Sequence, residues 1–390
     1  ASATLNGKWT GYTYDELGQL IQVNDHSDTR SGENGTTWKY TYDLGGNILK
    51  KERFAYADTT NPLETVTYTY GDANWRDKLT AVNGNAIRYD AIGNPLSDGT
   101  WTYTWQNGRQ LQKMQKSGVT AEFVYNADGL RVQKTVNGVA TKYTLHGKNV
   151  VHMTSGTDEL HFFYDAQNRP AVVVYNGTAY AYVKSLQGDI VAILDENGNT
   201  VVSYGYDAWG APLWCTGELA ETLGKVQPFR YRGYVFDEET GLYYLRSRYY
   251  NPRWGRFVNA DSYIGKMTML SHNLFLYCHN SPIFRIDASG CEDTTPAPTP
   301  SALPQETPLP TPRPSRPENW RDIFTKLEIQ NAISNAVRKV TEAMNDVAMY
   351  REAQQMIALG HGRVWLKGGG SFTYISEEEY NMWYLSLIHI

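Results

Sequence analysis

The chain has 390 residues, 36 Lys and Arg against 41 Asp and Glu, and a formal net charge of −5. That length allows roughly one large domain or two to three ordinary ones, and the mildly acidic balance argues against a dedicated nucleic-acid binder, which carries a basic excess. Three irregularly spaced cysteines, Cys215, Cys278 and Cys291, exclude a disulfide framework, and no run of ~18 apolar residues exists to span a membrane.

The unusual counts are 29 Tyr and 34 Gly. Tyrosine favours strands and glycine supplies the positive φ of tight turns, so the composition predicts many short strands joined by turns. The chain opens ASATLNGKWT, without Met and already inside a repeating pattern. We expect a fragment whose N-terminus is missing, so the absence of a visible signal peptide carries little weight.

The repeat comes first in chain order. Its clearest copies are YTYDELGQL at 12–20, YTYDLGGNI at 40–48, RYDAIGNPL at 88–96, YTWQNGRQL at 103–111, VYNADGLRV at 124–132, FYDAQNRPA at 163–171 and YGYDAWGAP at 204–212. Weaker copies fall near Tyr70, Tyr143 and Tyr182. Tyr-x-Tyr places two rings on one face of a strand. Asp followed by Gly or Asn predicts a tight turn, because Asp bonds its own backbone and Gly or Asn accepts the left-handed conformation. Each copy is then a strand–turn–strand unit with one aromatic face, and copies must stack side by side to bury it. Turn chemistry and packing account for each Tyr-Asp pair without catalysis or sugar binding.

Next comes PFRYRGYVFDEETGLYYLRSRYY (228–250), then RYYNPRWGRFVNADS (248–262), then NLFLYCHNSPIFRIDASG (273–290). If residues 243–250 form one strand, Tyr243, Leu245, Ser247 and Tyr249 share one face, and Tyr244, Arg246, Arg248 and Tyr250 the other. Asn251-Pro252 should break the strand and Gly255 close the turn. Six arginines between 230 and 256 face Asp237, Glu238 and Glu239, so local ion pairs are expected, with cation–π contacts to the rings. Arginine and aromatics also serve single-stranded nucleic acids, a reading the acidic chain disfavours. Cys278 and His279, adjacent and flanked by His272, would point apart on a strand, so no metal site is expected there. HExxH, GxSxG and Walker-type patterns are absent, and no cofactor is implied.

These motifs resemble the YD-repeat, or RHS-repeat, family over roughly residues 8–290. The last three segments resemble its RHS-repeat-associated core, whose pattern reads RYYDPxxGRFxSxDP and ends LNLYxYxxNNPxxxxDPxG. The resemblance implies a mainly β fold: YD-repeat hairpins stacked in a long spiralling sheet, part of a shell around a C-terminal toxin. It also implies self-cleavage after the terminal segment in some members, by aspartates with an aspartic-protease-like logic. Asp261 matches the aspartate of SxDP, and Arg256 the arginine of GRF, placed to orient it. Two features depart from that pattern: SYIGKMTMLSHN (262–273) contains no carboxylate, and Asp287-Ala288-Ser289-Gly290 lacks the Pro of DPxG. A cut, if made, is expected just after Gly290, beside Cys291, with Asp287 as the second carboxylate.

Residues 292–318 form a Pro-rich, extended linker. Asn319 suits an N-cap, and Ile329, Ile333, Val337, Val340, Met344 and Val347 share one helical face. The remainder, HGRVWLKGGGSFTYISEEEY, suggests a hairpin. The expected organisation is repeats over 1–227, core over 228–291, linker over 292–318 and a small, mainly α variable region over 319–390, truncated, with Leu385–Ile390 not native. Three functions are in play: a shell end that packages or presents its own C-terminal domain, a cell-surface adhesion or glycan-binding module, and a self-cleaving protease or a toxin in 319–390. Expected partners are that C-terminal domain, a toxin-complex or secretion-system subunit, and surface glycans. The expected location is secreted or on the bacterial cell surface.

Overall fold

The computed structural model describes residues 2–5, 8–28, 35–262 and 270–294, together with two short strands near the C-terminus. It divides into one unit of Ala1–Asp195 with Asn199–Pro314 and another of Glu196–Gly198 with Ser315–Ile390. Residues 295–318 of the linker expected over 292–318, and the helical face expected from Ile329 to Val347, lie outside the described residues.

The first unit is antiparallel β throughout. One sheet runs from β1 (Ser2–Leu5) to β8 (Asn85–Ala86) and a second from β9 (Arg88–Tyr89) to β22 (Pro212–Thr216), and in both the spatial order is the sequence order. The repeat explains this meander. Asp15 Oδ1 accepts the amides of Leu17 and Gln19 at 3.0 and 2.8 Å, and Asp43 Oδ1 those of Gly45 and Asn47 at 2.9 Å each. Asp90, Asn126, Asp165 and Asp207 hold their turns in the same way. The third residue after this Asp or Asn is left-handed, as at Gly210 (φ 86°) and Asn168 (φ 59°). At Gly210 a Cβ would also come within 2.5 Å of the Tyr231 ring, so only glycine fits there.

The tyrosine before the turn has a job that its spacing did not reveal. The strand register shifts at Tyr14, Tyr42, Tyr125, Tyr164 and Tyr206, a bulge that re-aims the side chain. Four of these hydroxyls donate to carbonyls of an earlier strand: Tyr42 to Leu20 at 2.6 Å, Tyr125 to Leu111 and Tyr164 to Val150 at 2.8 Å, and Tyr206 to Ile190 at 2.9 Å. Each of these four repeats is thereby tied to an earlier strand.

A third, small sheet carries the 241–262 stretch: β23 (Val235–Asp237), β24 (Leu242–Tyr244), β25 (Tyr249–Asn251) and β26 (Arg256–Phe257). The expected single strand over 243–250 is replaced by a hairpin. Leu245 N–H donates to Arg248 O at 2.9 Å, and Arg246 sits at φ 67°. The pairs are therefore Tyr243↔Tyr250 and Tyr244↔Tyr249. Tyr243 and Tyr250 join Leu20, Tyr40, Ile48 and Trp209 in one core cluster. Tyr244 and Tyr249 join Tyr103, Leu111, Met114 and Phe123 in another. The stretch is an insert buried on both faces, which is why it shows no polar alternation. Gly255 closes its turn as expected, donating to Asn251 O at 2.9 Å with φ 70°.

Within the second unit, β27 (Trp365–Lys367) and β28 (Ser371–Thr373) pair as an antiparallel hairpin.

Candidate functional site

Arg248 organises the end of the core. It opens β25 from the tight turn and lies with its guanidinium carbon 3.5 Å from the Phe257 ring centre. Its Nη2 reaches Asp261 Oδ2 at 2.8 Å and Asp287 Oδ2 at 3.6 Å. Its Nε donates to Gly290 O, and its Nη1 to Leu274 O at 2.9 Å. All three charged side chains are buried, at 5–7% exposure or less. The two carboxylates at 261 and 287, remote in sequence, thus share one guanidinium beside the Gly290 carbonyl.

Asp287 builds the turn that presents Gly290. Its Oδ1 accepts the amides of Gly290 at 2.7 Å and of Ser289 and Cys291 at 3.2 Å. Gly290 has φ 73°, and a Cβ there would meet Leu245 O at 2.6 Å and Ser247 Oγ at 2.7 Å. Ser247 Oγ donates to Ser289 O at 2.6 Å and lies 3.1 Å from Cys291 Sγ. Burial pushes the Asp287 carboxyl up from the usual range, against the opposing pull of Arg248 and the turn amides. Burial likewise raises the Cys291 thiol. The arrangement resembles a carboxyl pair poised around one peptide bond, with a cation on the carbonyl oxygen.

Arg256 is elsewhere. Its Nη1 donates to the Tyr70 hydroxyl at 2.6 Å and its Nη2 to Asp77 O at 2.7 Å, so it locks the core onto the first sheet. Orientation of Asp261 falls to Arg248, which nothing in the sequence distinguished from the other five arginines. The expected ion pairs with Asp237 also differ. Asp237 pairs with Arg131 (2.5 and 3.0 Å) and Lys134 (3.3 Å) from β14 (Arg131–Val136). Core arginines instead saturate carbonyls: Arg230 those of Gln227 and Gly224, Arg232 those of Pro282 and Gln187. The cause is burial, since loop carbonyls inside a core must find donors. Cys278 and His279 occupy a left-handed turn (φ 51° and 50°) in place of a strand, and His279 Nδ1 contacts Asp293 Oδ2 at 2.9 Å.

The teneurin YD-shell family matches residues 3–283. This chain belongs to that YD-shell family. The chain is 37% identical over 285 residues to the tRNA3(Ser)-specific nuclease WapA of Bacillus spizizenii, covering 71% of this chain and 12% of that protein. It is 25% identical to the toxin protein Tse5 of Pseudomonas aeruginosa, covering 72% of this chain and 27% of that one. Among solved structures, the TcdB2-TccC3-Cdc42 crystal structure aligns with a TM-score of 0.57 at 22% identity, over 73% of this chain and 15% of that one. The YD-shell region here therefore spans a small part of the curated relatives it matches. The fold shared with the toxin-complex shell is mainly antiparallel β, as the repeats require.

Proposed function

We propose that this chain is the C-terminal part of an RHS shell that encapsulates or presents the variable C-terminal region over 319–390. The observation that carries this is the route of the chain. The core insert closes the aromatic faces of both repeat sheets. Its end then pairs Ile286 with Thr294 through two backbone hydrogen bonds of 2.9 and 2.8 Å. Thr294 lines a cavity of about 790 Å³ together with Arg131, Phe229, Arg232, Tyr244 and Arg246, so the end of the core faces a recess. A secreted or cell-surface bacterial toxin, working with a toxin-complex or secretion partner, fits relatives whose names include a toxin and a nuclease. The adhesion and glycan-binding reading needs exposed rings, yet among the described residues most tyrosines are buried, while Trp9 and Trp214 are exposed. Limited proteolysis of the full-length protein, tagged after Glu318, tests the proposal. Encapsulation predicts a protected C-terminal fragment; its digestion as fast as an isolated tail would reject encapsulation and leave surface presentation.

A second reading, self-cleavage between Gly290 and Cys291, is favoured by Asp261 and Asp287 meeting on Arg248. In it, Asp261 takes a proton from water as the oxygen attacks the Gly290 carbonyl carbon. Arg248 Nε supports the charge on the carbonyl oxygen. Asp287, whose Oδ1 already faces the Cys291 nitrogen, gives its proton to that nitrogen as the C–N bond breaks. Because Asp287 must be protonated and burial raises its pKa, cleavage should slow as the pH rises through the folded Asp287 pKa. Intact mass of the purified chain beside Asp261→Asn and Asp287→Asn is the test. Two fragments meeting at Gly290–Cys291, absent from both variants, are expected. Uncut chain across the acid range would end the self-cleavage reading and leave the shell reading standing.

A further inference from the structure

Far from that site, the hairpin of β16 (Asn149–Ser155) and β17 (Asp158–Tyr164) carries three metal-ligand side chains on one face. His152 and His161 lie directly opposite each other in the register. Glu159, two residues before His161, projects from the same side of β17. The neighbouring pair Met153↔Leu160 points the other way, into the core. The trio therefore stands on the outer face, with side-chain exposures of 25%, 27% and 47% for His152, His161 and Glu159.

The spacing is specific. Glu159 Oε1 lies 3.0 Å from His152 Nε2 and 3.3 Å from His161 Nε2, and the ligand atoms all fall within 4.8 Å of one another. A tetrahedral zinc with arms of about 2.0–2.1 Å sets its ligands roughly 3.3 Å apart. The two imidazoles are near-parallel, with centroids 4.6 Å apart and planes at 29°, and both Nε2 atoms contact the same oxygen, Glu159 Oε1. The Thr144 hydroxyl, 3.5 Å from His152 Nδ1, is placed to set the ring's orientation. The sequence pattern His-x8-His across a two-residue turn conceals this, because the ligands meet only through the pairing of β16 with β17.

We propose that His152, Glu159 and His161 form a surface site for a divalent transition-metal ion, zinc first. Two imidazoles and one carboxylate suit zinc, copper or nickel better than magnesium or calcium, which take oxygen ligands. Three protein ligands leave a fourth position facing solvent, open to water or to a side chain of a second molecule. The ion would pin β16 to β17 on the outside of the sheet.

The experiment uses the full chain, stripped with a chelator and titrated with Zn2+ against a chromophoric competitor. Wild type should bind one equivalent that is weakened at least about tenfold in His152→Ala and in His161→Ala, since an outer-sphere partner alone is worth 10–100-fold. Excess Mg2+ should leave that equivalent in place. Zn2+ should also raise the thermal midpoint of wild type and not of the variants. Equivalents held elsewhere, for instance by exposed Cys215, would persist unchanged in all of them. Glu159→Gln, a milder change at an exposed side chain, guards against misfolding of the alanine variants. Zinc binding of the same stoichiometry and affinity in wild type and all three variants would overturn the proposal, as would a wild type that binds none.

Discussion

The repeat sheets and the core insert solve the same problem by different means. Both must satisfy backbone groups inside an aromatic interior. The repeats do it locally: an aspartate holds amides two and four residues ahead, and a tyrosine hydroxyl reaches a carbonyl 14 to 22 residues back. The insert does it over long range, with an arginine donating to a carbonyl up to 179 residues away and Asp237 paired to Arg131 at a separation of 106. Damage should therefore stay local in the repeats and spread in the insert.

The largest effect tests that contrast at Asp237, which is wholly buried beside Arg131 and Lys134. Asp237→Ala leaves the buried Arg131 without its carboxylate, while Lys134 keeps Glu239 at 2.8 Å, and should cost about 3–5 kcal/mol, read as a shift of the urea midpoint. A shift no larger than that of a repeat-turn variant would break the comparison. The pair also predicts a pH dependence. Burial pushes the Asp237 carboxyl up, but Arg131 and Lys134 outweigh it and hold it below the usual range. Its contribution is then fully present above the unfolded pKa of about 3.9 and lost as the pH falls through the folded value. Asp237→Asn should flatten that acid limb.

Much of this division was legible in the sequence. Alternating tyrosines, the Asp–Gly turns and the sequence-ordered stacking follow from period-two strands and turn chemistry, and the structure follows them except at 103–111, where Asn107 and Gly108 (φ 46° and 82°) turn the chain between Gln106 and Gln110. The insert was legible only as a segment. Its hairpin depends on Arg246 adopting a left-handed conformation, which no rule assigns to arginine. The candidate site was half visible: Asp261, Asp287 and Gly290 stood in recognisable motifs, whereas the choice of Arg248 over Arg256 is made by which element packs behind each one. The His152–Glu159–His161 trio was invisible because cross-strand neighbours have no fixed spacing.

A middle-sized effect belongs to the turn. Asp43 holds the Gly45 and Asn47 amides through Oδ1 and the Asn47 side chain through Oδ2 at 3.0 Å. Asp43→Ala should cost about 1–2 kcal/mol, the scale of a lost helix cap. Hydrogen exchange should show the loosening confined to the flanking strands, β4 (Thr36–Tyr42) and β5 (Ile48–Ala55). Protection lost throughout both sheets would mean that the repeats are not the local units proposed.

The smallest effect sharpens the comparison most. Tyr42→Phe and Tyr164→Phe each remove one hydroxyl and leave the carbonyl of Leu20 or Val150 without that donor, a loss of about 1 kcal/mol apiece. Their rings pack in different clusters and share no carbonyl. If each staple only ties neighbouring strands, the double variant should lose the sum to within about 0.3–0.5 kcal/mol. Coupling beyond that would mean that the staples communicate through the buried insert, whose two faces touch both sheets. In that case the insert, and not the tyrosine of each repeat, would set the cooperativity of the whole unit.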